Sequence, residues 1–163
     1  MNNLGIDLGK HGGLVLLGQD GALLAWARTP LAGKEYDGFA MQSRLDEVLD
    51  NCAGQPVRAF VEAPNVMGLF SKQAAAVGTG YGRWVQALEI KGVGYRVITA
   101  TSWTAMFLPA KRKGMTREDR KGHLVRMART LHPTAVPWDS LNKDTRSGVA
   151  DALLIAEYGR RKG

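Results

Sequence analysis

The stretch Leu4-Gly5-Ile6-Asp7-Leu8-Gly9, close to the start of the sequence, decides the fold. Residues 3–8 form an apolar run of strand length that a single acid interrupts, and the glycine-rich residues 9–13 follow directly. A short apolar run bounded by turn residues is typical of a buried β-strand. The pattern therefore predicts a strand over 3–8 that carries Asp7 near its carboxyl end, with a tight turn behind it.

Two further strands are predicted over residues 14–17 and 22–28, because Gln19-Asp20-Gly21 between them is a hairpin signal. The N-terminal part is thus expected to form three antiparallel strands. After residue 36, helical and strand-like periodicities alternate. The remaining predicted elements are helices over 36–50, 69–91, 102–108, 116–131 and 147–160, and strands over 57–62 and 95–99.

This order of elements predicts an α/β fold with one five-stranded mixed sheet flanked by helices. Three antiparallel strands, followed by two strands that alternate with helices, is the order of RNase H-like folds. A chain of 163 residues suits a single domain over 1–163.

The composition indicates the kind of partner and the cellular environment to expect. The formal net charge is +7, which indicates a polyanionic partner, usually nucleic acid, with a generic basic surface as the alternative. No run of 18 apolar residues suggests a membrane span. No signal peptide is recognisable. Cys52 is the single cysteine of the sequence, so an internal disulfide cannot form, and a reducing cytoplasm is expected.

Three acidic residues stand where apolar side chains are expected. Asp7 interrupts the first strand, Glu62 ends the strand over 57–62, and Asp151 lies in a helix that is apolar nearly all round. A buried carboxylate costs free energy unless it is paired, hydrogen-bonded or bound to a cation. These acids are either unrelated residues at element ends or one cluster of hard oxygen ligands, which would suit Mg²⁺ or Mn²⁺. In a fold of this order the final helix packs across the first and fourth strands, which favours the cluster.

Four motifs follow one another along most of the chain. The first is Gly5–Gly9 with residues 12–14, and the second is Val61-Glu62 with Lys72-Gln73 and residues 78–82. The third is Lys121 with residues 127–131, and the fourth is Ala150–Ala156. In this order the motifs resemble the RuvC family of Holliday junction resolvases, and most of all its phage-type and chloroplast-type members.

The resemblance implies a metal-dependent endodeoxyribonuclease that cuts four-way or branched DNA symmetrically, as a homodimer, and leaves 5′-phosphates. It implies that Asp7, Glu62 and Asp151 hold two Mg²⁺ ions, which Mn²⁺ can replace, and that Lys121 assists catalysis. Dimerisation is expected through the glycine-rich helix from Gly78. A bacteriophage origin, and hence the cytoplasm of an infected bacterium, would follow from the phage-type likeness.

One position departs from the family pattern. Many members carry another acid or a histidine three residues before the last aspartate, where this chain has Gly148. Asp144 is the nearest upstream acid, seven residues before Asp151, so it can share a helical face with Asp151 if the helix starts early enough. Asp144 is therefore either a fourth metal ligand or the N-cap of that helix.

Basic residues are concentrated in the second half of the chain, where they would neutralise phosphates and make binding salt-sensitive. A solvated basic face is the alternative. Phe70 follows the strand of Glu62 and is a candidate to stack on a base at the junction centre, or else a core residue. The candidate DNA-binding residues are Phe70, Lys72, Lys111, Arg112, Lys113 and Arg117.

Other functions fit parts of this pattern. A branched-DNA-binding module without activity would match the charge, but it would gain nothing from buried carboxylates. A less specific nuclease of the same RNase H-like fold would need the same acids. Actin-like and Hsp70-like ATPases also begin with Gly-Ile-Asp-Leu-Gly, but they need two such domains, for which 163 residues are too few.

Overall fold

The computed structural model describes residues 1–65, 71–109 and 114–163. Its strands are β1 Asn2–Asp7, β2 Gly13–Leu17, β3 Leu23–Arg28, β4 Leu31–Ala32, β5 Glu35–Tyr36, β6 Val57–Glu62 and β7 Tyr95–Ile98. Its α-helices are α1 Gly38–Leu49, α2 Ser71–Ile90, α3 Ala100–Phe107, α4 Arg117–Leu131 and α5 Lys143–Lys162. None of the helices in the described ranges is both long and apolar enough to cross a membrane.

The main sheet has five strands in the order β3-β2-β1-β6-β7. Strand β1 is antiparallel to β2 and parallel to β6, and β7 continues the parallel half. The predicted mixed sheet with three antiparallel N-terminal strands is therefore confirmed. A small hairpin of β4 and β5 lies outside it and was not predicted, because strands of two residues carry no periodic signal.

Each face of the sheet is covered by its own hydrophobic cluster. Strand β2 shows the division, because its alternate side chains point to opposite faces. Leu14 and Leu16 pack with α1 and α2, whereas Val15 and Leu17 pack on the side of α3, α4 and α5. A sheet covered on both faces explains why its central strands are apolar almost throughout.

Helix α5 lies directly against β1. A Cβ placed on Gly5 would be 2.1 Å from the carbonyl oxygen of Ala152 and 2.4 Å from the amide nitrogen of Ala156. Only glycine permits this close approach of helix and strand backbones. Since Gly5 and Asp7 share one face of β1, the same contact brings α5 over Asp7.

The two last helices begin at well-defined caps. Thr116 caps α4 in a capping box with Asp119. Helix α5 begins at Lys143, with Asn142 as its N-cap, and not near residue 147 as predicted. Its first turn is polar, so the apolar periodicity starts only later. The N-cap alternative for Asp144 is thus wrong, because Asp144 lies inside the first turn.

Candidate active site

Asp7 and Glu62 end neighbouring parallel strands on the same face of the sheet. Ile6 pairs with Val61 in the register of β1 and β6, so the two acids leave the sheet side by side. Phe60, two residues before Glu62, packs in the cluster that contains α5. The two-residue alternation of a strand therefore directs the side chains of Asp7 and Glu62 towards α5.

Asp151 reaches this edge of the sheet from α5. Its neighbours Ala150 and Ala152 are fully buried, while Asp151 itself is half-buried and faces the cavity beside the strand ends. The close packing of Ala152 on Gly5 fixes the position of α5 along β1, and with it the position of Asp151 beside the strand ends.

All three acids line one open cavity of about 310 Å³. Asp144, Arg117 and Lys121 line the same cavity, so α4 contributes two positive charges to the cavity that holds the carboxylates. The remaining lining residues are Gly9, Lys10, His11, Gly12, Ser147 and Gly148. The structure thus brings together six of the residues that the sequence singled out, from β1, β6, α4 and α5.

Burial disfavours the ionisation of all three carboxyls, and neighbouring carboxylate charges add to this at Glu62 and Asp151. Burial raises the pKa of Asp7 to about 6, while a hydrogen bond from the Gly9 backbone and the charge of Lys121 oppose it. Burial raises the pKa of Glu62 to about 7, and the charge of Asp7 adds to this. Burial, followed by the charges of Asp7 and Glu62, raises the pKa of Asp151 well above its ordinary value. A nearby cation would relieve all three effects.

Hydrogen bonds hold two of the carboxylates. The backbone N–H of Gly9 donates to Oδ1 of Asp7 at 3.2 Å, within the turn that follows β1. The indole Nε1 of Trp103 donates to Oε2 of Glu62 at 3.1 Å. Each acid therefore has one oxygen engaged by the protein, and its remaining lone pairs stay available for another partner.

The donor set is of the kind that divalent cations prefer, but it is not yet a closed ligand shell. No group of three or more His, Cys, Asp or Glu side chains within the described ranges is arranged to hold a metal ion as it stands. The carboxylates nevertheless share one cavity, carry raised pKa values and face the charge of Lys121. Hard oxygen donors in such a cavity fit Mg²⁺ or Mn²⁺.

Two solved structures are similar to this chain over nearly its whole length. The structure of T. thermophilus RuvC in complex with Holliday junction substrate has a TM-score of 0.64 and 20% identity, over 99% of this chain and 96% of that chain. A second Thermus thermophilus RuvC structure has a TM-score of 0.62 and 21% identity, over 99% and 96%. No protein-family model and no curated protein matches the sequence.

This chain has the RuvC fold. The RuvC fold is an RNase H-like fold, so the fold class and the resemblance that the motifs indicated are confirmed at the level of the fold. The likeness to phage-type and chloroplast-type members stays a prediction.

Within this RuvC fold, the departure at Gly148 has a steric cause. A Cβ on Gly148 would lie 2.0 Å from the carbonyl oxygen of His11 and 2.6 Å from Cα of Gly12. The turn between β1 and β2 therefore occupies the space where a side chain at 148 would extend. Asp144, one helical turn earlier, lines the cavity instead and is exposed there.

The candidate DNA-binding residues are distributed unevenly. Arg117 is exposed at the rim of the cavity, and Lys72 is exposed on α2 away from its lining. Phe70 and the basic residues Lys111, Arg112 and Lys113 lie outside the described residues.

Sequence reasoning missed three residues at this site. Trp103 is a core residue that is 3% exposed, but it also contacts Glu62, 41 residues away in the chain. No local pattern marks such a contact. Lys10 and His11 line the cavity because they lie in the turn directly after Asp7, and that position was the available signal.

Proposed function

We propose that this protein is a divalent-cation-dependent endonuclease that cuts four-way DNA junctions. The observation that carries the proposal is the convergence of Asp7, Glu62 and Asp151 with Lys121 in one cavity of a RuvC fold. One of the similar structures is a complex with Holliday junction substrate, and the net charge of +7 suits a polyanion. The less specific nuclease and the inactive module are tested by the same experiments.

Asp7, Glu62 and Asp151 would hold two Mg²⁺ ions, with Mn²⁺ as a substitute. Such ions, when bound, would supply activation of water and stabilisation of the leaving oxygen of a phosphodiester. The protein's own contribution is to hold the carboxylates at the ends of rigid elements. Lys121 on α4 would stabilise the negative charge that develops on the phosphate, and the products would carry 5′-phosphates.

Asp144 would be the fourth ligand of the metal site. The backbone of His11 and Gly12 excludes a side chain at residue 148, where the family pattern has its additional ligand. Asp144 lies four residues earlier on α5, on the same side of the helix, and lines the cavity with the other three acids. An early start of α5 at Lys143 makes this placement possible.

A homodimer through α2 would present two such sites to a four-way junction. Gly80 faces inward, where a Cβ would be 2.7 Å from the carbonyl oxygen of Leu8. Gly78 and Gly82 have no described atom near their Cβ positions, so they leave room for a second copy. Sedimentation of Gly82→Arg tests this, since a bulky charge should shift a dimer towards monomer. A wild-type protein that sediments as a monomer at micromolar concentration would contradict it.

A cleavage assay tests the proposed function. Labelled four-way junction, flap and plain duplex are incubated with Mg²⁺, Mn²⁺ or EDTA. We expect paired, symmetric nicks in the junction with either metal and none in EDTA. Equal cutting of all three substrates would indicate the less specific nuclease, and binding without metal-dependent cutting would indicate the inactive module.

A gel-shift competition then tests junction recognition. Basic residues alone do not distinguish a junction from a duplex, because both offer phosphates. Unlabelled junction should therefore displace labelled junction far better than the same amount of duplex does. Equal displacement would overturn the resolvase proposal and leave the nuclease activity standing.

A further inference from the structure

Trp103 is placed beside Glu62 by the topology of the sheet. Glu62 pairs with Ile98 in the parallel register of β6 and β7. Helix α3 begins immediately after β7, where the Thr99 side chain caps it by accepting from the Ser102 N–H. The first turn of α3 therefore starts next to the end of β6. Trp103 lies in this turn, and its indole Nε1 is 3.1 Å from Oε2 of Glu62.

The packing around Trp103 fixes the direction of this hydrogen bond. The side chain is 3% exposed and belongs to the cluster that includes Phe107 and Leu124. A densely packed ring of this size has one available rotamer, so its N–H points to one place. The indole nitrogen can only donate, and here it donates to a carboxylate that lines the cavity.

We propose that Trp103 is a positioning residue, whose indole N–H holds the Glu62 carboxylate in the orientation that binds the metal. This rests on the proposed metal-dependent nuclease function. Because Trp103 engages Oε2, the carboxylate cannot turn freely, while its other lone pairs stay available to a cation. Outer hydrogen-bond partners of this kind typically change metal affinity by about 10–100-fold when they are lost.

The chain contains its own matched controls, because three buried tryptophans differ in the partner of Nε1. Trp103 donates to Glu62. Trp138 donates to the backbone carbonyl of His132 at 2.8 Å, outside the lining of the cavity. The Nε1 of Trp84 is buried and has no hydrogen-bond partner among the described residues. Trp103→Phe therefore removes a hydrogen bond to the candidate site, and Trp138→Phe removes a hydrogen bond elsewhere in the fold. Trp84→Phe removes no hydrogen bond to the described residues.

The affinity for Mn²⁺, measured by isothermal titration calorimetry on the full-length protein without DNA, separates these roles. We expect Trp103→Phe to weaken Mn²⁺ binding by about 10-fold or more. Trp138→Phe should leave the affinity within about twofold, even though it also loses a buried hydrogen bond. Trp84→Phe should do the same. If Trp103→Phe binds Mn²⁺ as tightly as Trp138→Phe, the inference is overturned.

A spectroscopic signature provides the second measurement. Each of the four tryptophans gives one indole N–H resonance in a ¹H–¹⁵N spectrum, and the Phe variants assign them. Mg²⁺ should shift the resonance of Trp103 and leave those of Trp84 and Trp138 in place. Mg²⁺ binding without movement of the Trp103 resonance overturns the inference alone. A wild-type protein that binds neither Mg²⁺ nor Mn²⁺ overturns the proposed function together with it.

Discussion

Replacing Asp7 by asparagine should stabilise the metal-free protein. Burial raises the pKa of this carboxyl from its ordinary value of 3.8 to about 6. At about 1.4 kcal/mol per pH unit, a pKa difference of this size corresponds to about 3 kcal/mol of folding free energy when the group is ionised. Asparagine can still accept the hydrogen bond from the Gly9 N–H, but it carries no charge.

The sign follows from the direction of the pKa change. A carboxyl whose pKa is higher in the folded than in the unfolded chain destabilises the folded state when it is ionised. The penalty from Asp7 is absent below about pH 4, grows as the pH rises through the folded pKa of about 6, and is then complete. Asp7→Asn also lowers the pKa of Glu62 and of Asp151, because the charge of Asp7 raises both.

Urea unfolding in EDTA, followed by circular dichroism, measures the effect. We expect Asp7→Asn to exceed the wild type in unfolding free energy by up to about 3 kcal/mol at about pH 8, with a smaller difference at about pH 5. Asp139→Asn is the control: this exposed carboxyl has a pKa lowered by its hydrogen bond from Arg129, so no stabilisation is expected. With Mg²⁺ the wild type should gain stability and the variant much less. An Asp7→Asn protein no more stable than the wild type, or a difference independent of pH, would refute the reasoning.

Three further substitutions test other parts of the site. Lys121→Ala should raise the barrier to cleavage by about 2–4 kcal/mol with only a modest loss of junction binding. Single-turnover kinetics measures the barrier and gel shifts measure the binding. An unchanged cleavage rate would show that Lys121 is only a solvated basic residue. Asp144→Asn should weaken Mn²⁺ binding by about tenfold, or about 1.4 kcal/mol, in calorimetry, whereas Asp46→Asn, on α1, should not. Gly148→Ala should lower the unfolding free energy by roughly 1–3 kcal/mol, because its Cβ would clash with the His11 carbonyl. An unchanged unfolding free energy in urea would show that the turn between β1 and β2 can move aside without cost.

The five strands of the main sheet could be predicted because their signals are local. The apolar run of β2 and the glycine turns on either side of it are readable within a few residues, and the apolar run around Asp7 marks a buried strand. The two-residue strands β4 and β5 carry no such signal. Their side chains matter nonetheless, since the Tyr36 hydroxyl donates to the carbonyl oxygen of Leu8 at 2.9 Å and so supports the chain just after Asp7.

The site was only partly predictable because several of its determinants act between distant residues. The three acids stood out by themselves, since each stands where an apolar side chain is expected. The steric exclusion at Gly148 depends on the backbone of His11, and the hydrogen bond to Glu62 depends on Trp103, 41 residues away. Neither relation has a spacing that a single sequence displays. The start of α5 was misplaced for a related reason: its first turn is recognised by the Asn142 cap and not by apolar residues.

Helix α5 is both the centre of the core and the carrier of Asp151, and this double role explains its composition. Residues 149–156, Asp151 excepted, are fully buried, because α5 is packed between the sheet and α4. An acid in that environment destabilises the metal-free fold, and the charge of Lys121 only partly offsets the burial. A fold selected for stability alone would place an apolar residue at 151. Its carboxylate becomes favourable once a cation enters the cavity, so metal binding and folding should be thermodynamically coupled in this protein. That coupling would be weaker if Asp151 lay on an exposed helix, where its ionised form would carry no penalty for a metal to relieve.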